Sequence, residues 1–145
     1  MKQILFRGKT ETGRWAYGSL ILADNYCCIL ESDDGKATPV IPETVGQFIG
    51  RACYDAFGYN QKLFEGDIIA VYRSKRIDIE HGKPDSIAIA VDEHCITENG
   101  LGRCFPQDTI QTKVIGNVYD NPELVGEKYA ELYKRYFGFE KDETL

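Results

Sequence analysis

Short apolar runs alternate with polar breaks bearing Gly and Asp along most of this chain, the pattern of a protein built from short β-strands. Residues 3–7 form one such run, and residues 8–13 a polar turn behind it. The next run, residues 14–22, sets Trp15, Tyr17 and Ile21 on one side of a pleat and Ala16, Leu20 and Leu22 on the other. Two β-rich runs around a Gly-bearing loop predict a hairpin. A third strand is expected over residues 26–31, closed by Ser32-Asp33-Asp34-Gly35, because Asp-Gly accommodates the positive φ of a tight turn. Residues 36–41 should pair back across it until Pro42, which has no N–H to give to a ladder.

Residues 45–54 are apolar but carry Gly46 and Gly50, which predicts a bent strand or a bulge. A loop is expected over 55–62, then a tight turn at Glu65-Gly66-Asp67 feeding Ile68-Ile69-Ala70-Val71-Tyr72. That uninterrupted apolar run should be central in the sheet. Residues 73–85 predict a long charged surface loop, 87–91 a strand, 97–108 another loop and 112–119 the last strand. The pattern then changes period. Asp120-Asn121-Pro122-Glu123 combines an Asn cap, a Pro at the first helical position and an acid in the first turn. Val125, Tyr129, Leu132, Tyr133 and Tyr136 follow as one helical stripe, and Gly138 is placed to end it. The expectation is a mainly β fold: a β-barrel domain over residues 1–119, a helix over 120–138 packed on the barrel or on a partner subunit, and a frayed tail over 139–145.

A length of 145 residues suits one domain, and 43% hydrophobic with 28% charged residues excludes a wholly disordered chain. The net charge of −6 and pI near 4.9 argue against a protein that coats nucleic acid, which needs a basic surface. No run approaches the ~20 apolar residues of a membrane span. The longest candidate, residues 20–30, is broken by Asp24 and Asn25, and the N-terminus lacks the apolar run of a secretory signal. The five cysteines are odd in number and include the adjacent pair Cys27-Cys28, so they are expected to be reduced thiols in a cytoplasmic protein with no membrane contact.

Candidate chemistry is sparse. His94, Cys95 and Cys104 lie close in sequence, but zinc sites present paired ligands on one turn and nothing here has that spacing. His94 and Cys95 are neighbours on a strand and point to opposite faces, so they do not form a nucleophile–base pair. The acids Glu43, Glu65, Asp67, Asp92 and Glu93 could supply a working carboxylate pair, although Glu65 and Asp67 sit in a turn that favours polar residues anyway. No Gly-rich phosphate motif occurs. Arg73-Ser74-Lys75-Arg76 follows an aromatic-flanked strand and could serve nucleic acid, yet Asp78 and Glu80 come directly after it. No catalytic residue, metal or cofactor is expected.

Four stretches together resemble one family. They are Phe6-Arg7-Gly8-Lys9 with Trp15-Ala16-Tyr17-Gly18-Ser19; Val40-Ile41-Pro42-Glu43-Thr44-Val45-Gly46-Gln47-Phe48; Phe64-Glu65-Gly66-Asp67-Ile68-Ile69; and Val114-Ile115-Gly116-Asn117-Val118-Tyr119-Asp120-Asn121-Pro122-Glu123-Leu124. In that order they are similar to the YopX family of small proteins carried by phages and prophages. The segment after Phe48 departs from the family's short polar turn, with Arg51-Ala52-Cys53-Tyr54 and aromatic residues beyond. The resemblance implies an SH3-like β-barrel and a life inside a bacterial cell, and implies no particular activity.

Physical reasoning adds two expectations. Gly18, Gly46, Gly50 and Gly116 suit places where strands bend hard or backbones approach closely. Arg7, Glu43 and Asp67 are charges set in apolar motifs, and are expected to form a polar cluster that pins the barrel at one end; the alternative is a small polar ligand site. The expected function is that of a non-enzymatic phage accessory protein acting by protein contact. Self-association through the tyrosine stripe, or an unidentified host or phage protein, would supply the partner. A nucleic-acid-binding barrel is the alternative, and a hydrolase the third reading.

Overall fold

A computed structural model describes residues 4–31, 35–54, 60–72, 83–84, 86–91, 94–97, 100–103 and 111–136. Phe6–Lys9 (β1) and Trp15–Ala23 (β2) pair antiparallel with Arg7 opposite Tyr17, and Tyr26–Glu31 (β3) returns along β2. Ala37–Pro39 (β4) pairs back on β3, and Pro42, which cannot extend the ladder, starts a 3-10 turn at Pro42–Thr44. Next come Gly46–Tyr54 (β5), Asn60–Phe64 (β6), Asp67–Tyr72 (β7), Ser86–Ala90 (β8), His94–Thr97 (β9), Gly100–Arg103 (β10) and Gln111–Asn117 (β11). A 3-10 turn at Pro122–Leu124 precedes the helix Glu127–Tyr136 (α1).

The strands run in the order β10-β9-β8-β7-β11-β5-β1-β2-β3-β4, with β6 also on β5. Two largely antiparallel sheets share β5. Its Gly46 and Gln47 pair with β1, whereas its later residues pair with β6 and, in one parallel contact, Tyr54 with Lys113 of β11. The register slips between Phe48 and Ala52, where Gly50 has φ +85°. An L side chain rarely adopts that conformation, so glycine is what lets β5 bend from one sheet into the other. Gly18 serves differently: a Cβ there would lie 1.9 Å from the Leu30 carbonyl oxygen, so β2 and β3 pack at this point only without a side chain. Among the described strands the path has two ends, β10 and β4.

All six residues of β7 are buried, as its unbroken apolar run predicts. Ile69 and Val71 face a cluster with Leu63, Ala88, Ala90 and Val114, while Ile68 faces one with Ile89, Val118, Ala130 and Tyr133. Fully burying each of the Ile, Leu and Val side chains stabilises the fold by roughly 1.5–3 kcal/mol. A third cluster, Ala16, Ile29, Val40 and Val45, fills the β1–β4 sheet.

Several sequence-based boundaries change: the first strand covers Phe6–Lys9 and takes in part of the expected turn, and the last ends at Asn117. Residues 60–62, expected in a loop, belong to β6, because β5 offers a ladder on which Leu63 and Phe64 become buried. Residues 100–103, also expected in a loop, pair with β9 despite their two glycines. The helix expected from residue 120 begins at Glu127. Asn121 does not cap it; its side-chain oxygen instead accepts the Asn117 N–H at 3.2 Å, and Gly126 at φ +91° breaks the chain's helical course. The expected stop at Gly138 and the tail over 139–145 lie outside the described residues.

Of the two packings left open for the helix, the chain's own sheet receives it. Tyr133 is fully buried and Ala130 nearly so, both in the cluster around Ile68, with Val125 and Tyr129 partly buried against it. Leu132 is half-buried, and the side chain of Tyr136 lies outside the described part. Tyr133 is therefore spent on the chain's own core.

Candidate functional site

Arg7 is the inward residue at the middle of β1, and only 3% of it is exposed. Its side chain crosses to the other sheet, where Nη1 donates to Asp67 Oδ1 at 2.7 Å and Nη2 donates to the Glu65 carbonyl at 3.3 Å. The second Asp67 oxygen accepts the Phe64 N–H at 2.8 Å. A buried charge is tolerable when paired and hydrogen-bonded in this way. The guanidinium also lies 4.7 Å from the Trp15 ring centroid and 5.1 Å from that of Phe64, distances at which ring faces attract a cation. Burial pushes the Asp67 carboxyl above the usual carboxylate range, against the opposing pull of Arg7 and the Phe64 N–H.

The expected cluster of Arg7, Glu43 and Asp67 is thus formed in part. Glu43 stands exposed on the 3-10 turn, which turns Thr44 inward instead. Thr44 Oγ1 accepts the Lys9 N–H at 2.8 Å and donates to the Ile41 carbonyl at 2.6 Å, so threonine ties the turn to β1. Glu65 completes the cluster. Besides its carbonyl contact to Arg7, its carboxylate accepts the Gln47 N–H at 2.8 Å and fastens the β6–β7 turn to β5. Nothing in the sequence distinguished Glu65 from the other acids, because its role is set by a partner on a distant strand.

A second polar group borders the first. Asp120 accepts from Trp15 Nε1 at 3.0 Å and from Asn117 Nδ2 at 3.1 Å, and forms an ion pair with Lys9. Partial burial alone would raise the Asp120 carboxyl, but the bonds from Lys9, Trp15 and Asn117 prevail and hold it below the usual range. Asp120 reads from sequence only as a residue before a helix.

Between these groups lies a cleft of about 340 Å³. Arg7 and Asp67 line it, with Trp15, Tyr17 and Gln61 around them and Asp120 at one side. The ladder of β11 against β7 slips between Val114 and Gly116, and this stretch forms an apolar wall of the same cleft. Under the neighbouring turn, the Tyr119 and Tyr133 rings meet edge-on at 6.4 Å. Burial raises both phenols, Tyr119 to about 12.

The other candidates separate. His94 is exposed while Cys95 is 3% exposed, so the two point to opposite faces as expected. Cys104, Asp92, Glu93 and Arg73-Ser74-Lys75-Arg76 lie outside the described residues. Among the described residues, no three His, Cys, Asp or Glu side chains group in a way that could hold a metal ion. Among them, too, no helix is long and apolar enough to cross a membrane.

A surface feature lies away from the cleft. At the far end of the β2–β3 hairpin, Ile21, Leu22 and Tyr26 are 37%, 55% and 45% exposed, and Leu30 is exposed on the same arm. Sequence reasoning assigned these residues to strands without anticipating that the arm outruns the core.

No curated protein and no solved structure matches the chain. A family model described as YopX protein matches residues 6–126, a span that contains both sheets, the Arg7–Asp67 pair and Asp120. Three of the four motifs that carried the sequence resemblance line the cleft, and the chain belongs to the YopX family.

Proposed function

We propose that this protein is a non-enzymatic interaction module of phage or prophage origin, acting in the bacterial cytoplasm through protein–protein contact. The exposed apolar end of the β2–β3 hairpin carries this reading. Ile21 stands opposite Cys28, Leu22 opposite Cys27 and Ala23 opposite Tyr26, so the arm ends in cross-strand pairs that are chiefly apolar. Exposed apolar side chains on both faces of the arm, Ile21 and Tyr26 on one and Leu22 on the other, are the kind of surface that contact sites in soluble proteins use. The two sheets sharing the bent β5 are read as an SH3-like barrel, and small barrels of that type often serve as interaction scaffolds, an argument from fold alone. The state of the acids favours binding over catalysis. Both Asp67 oxygens are occupied by Arg7 and the Phe64 N–H, and Asp120 is held by three donors, which leaves neither poised as a general base.

The first partner is a second copy of the chain, meeting through the hairpin and not through the helix stripe. Sedimentation equilibrium at micromolar concentration tests this. Wild type should contain dimers or larger species, and Leu22→Ser with Tyr26→Ser should be monomeric while still unfolding cooperatively. A wild type that stays monomeric across that range would remove self-association from the proposal.

A further inference from the structure

We propose that the cleft beside Arg7 binds an uncharged nucleobase. Four observations converge on that chemistry. The charges at the cleft are already matched within the protein, Arg7 with Asp67 and Lys9 with Asp120. A charged ligand would lose its hydration there without gaining a free counter-charge, so the site selects a neutral one. The site nevertheless holds an unmet donor. Arg7 is 3% exposed and its Nε–H has no hydrogen-bond partner in the protein, although Nη1 and Nη2 both have theirs. A buried donor left in this state is destabilising, so the guanidinium has a hydrogen bond still to give to a ligand carbonyl that reaches it.

The walls specify a flat shape. Trp15 and Tyr17 are two apart on β2 and so share one face. Tyr17 is 44% exposed, and its ring is propped edge-on against Phe64 at 5.5 Å, which presents an aromatic surface for stacking. Half-buried Gln61 lines the cleft as well, with an amide that offers a donor and an acceptor side by side, the complement of a base edge. A volume of about 340 Å³ sits at the small end of the ~300–1,000 Å³ range of ligand sites, suited to one ring system and its sugar. A phosphate is disfavoured by Asp120 at the cleft and by the net charge of −6. The base could arrive as a free nucleoside or on a single-stranded polymer.

Trp15 is the sole tryptophan and borders the cleft, so its fluorescence reports occupancy directly. The full chain is titrated with adenosine, guanosine, cytidine and uridine, with their 5′-monophosphates, and with single-stranded homo-oligonucleotides. Saturable quenching by at least one nucleoside is expected below millimolar concentration, with the matching monophosphate at least tenfold weaker. Quenching by an oligonucleotide while every nucleoside fails would assign the base to a polymer. Gln61→Ala should weaken binding at least fivefold with the Tm unchanged. Absence of quenching by nucleosides and oligonucleotides alike would overturn the proposal, as would affinity indifferent to Gln61→Ala. A proline-rich peptide that quenches where every base fails would overturn it in favour of a peptide groove.

Discussion

Arg7 Nη1 and Asp67 Oδ1 meet at 2.7 Å, joining β1 of one sheet to β7 of the other with both side chains almost wholly out of water. Because neither partner has solvent to fall back on, the pair should behave as one unit. Arg7→Met or Asp67→Leu alone leaves a buried charge unmatched and should cost about 3–5 kcal/mol in urea unfolding. The double variant should cost less than the sum by about 1–3 kcal/mol. Strict additivity would show that the two do not act together as a pin between the sheets.

Gly18→Ala places a methyl group 1.9 Å from the Leu30 carbonyl oxygen and 2.8 Å from its carbon, and both belong to backbone that a rotamer change cannot clear. The β2–β3 ladder must part at this point. A loss of more than about 3 kcal/mol, or insoluble protein, is expected, whereas Ser19→Ala at the exposed neighbouring position should stay within about 0.5 kcal/mol. Thermal unfolding of the two variants side by side decides the matter.

Asp120 links Lys9, Trp15 and Asn117 at the edge of the cleft. Its removal in Asp120→Ala should cost about 1–2 kcal/mol, a value kept modest by solvent at the site. The freed indole N–H would turn to water, so Trp15 emission should shift to the red. Asp120→Asn retains an acceptor for the indole and should lose only the ion pair, about 0–1 kcal/mol, with emission unmoved. Equal red shifts in both variants would contradict the bond from Trp15.

Stability should fall in alkali for a reason located beneath the Glu65-Gly66 turn. Burial raises the Tyr119 phenol from 10.0 to about 12 and raises Tyr133 as well, so the folded state keeps protons that the unfolded chain releases. A folded pKa above the unfolded one gives stability that is complete below about pH 10 and is lost as pH climbs toward 12. For Tyr119 the full effect is about 2–3 kcal/mol. Urea melts across this window, followed with tyrosinate absorbance, should show the decline, and Tyr119→Phe should flatten it. An unchanged slope in that variant would place the alkaline sensitivity elsewhere.

Much of the architecture was legible in the residues, and the misreadings have physical causes. The unbroken run Ile68–Tyr72 is buried on both faces of β7, and the glycines of residues 45–54 mark the bend that lets β5 serve two sheets. Residues 60–62 and 100–103 look like loop because their own pattern is weak; they are strands because β5 and β9 supply hydrogen-bond partners. The helix start misleads for a related reason. Asn121 has the chemistry of a cap, but the Asn117 N–H claims its side chain first. The charged cluster was foreseen in part: Arg7 and Asp67 meet, and the backbone carbonyl of Glu65, which no charge pattern could reveal, accepts the second Arg7 bond.

What the chain by itself determined is therefore local and short in range: where strands break, which run is central, that a helix closes the fold and which family its motifs belong to. Those features follow from single-residue physics, namely the missing N–H of Pro42, the positive φ open to Gly50 and the period of apolar positions. Only the tertiary structure decided which acid answers Arg7, that Tyr133 is spent on the chain's own core, and that Trp15, Gln61 and Asp67 border one cleft. Each of these joins residues far apart in sequence, and a partner across two sheets leaves no periodic trace in either strand.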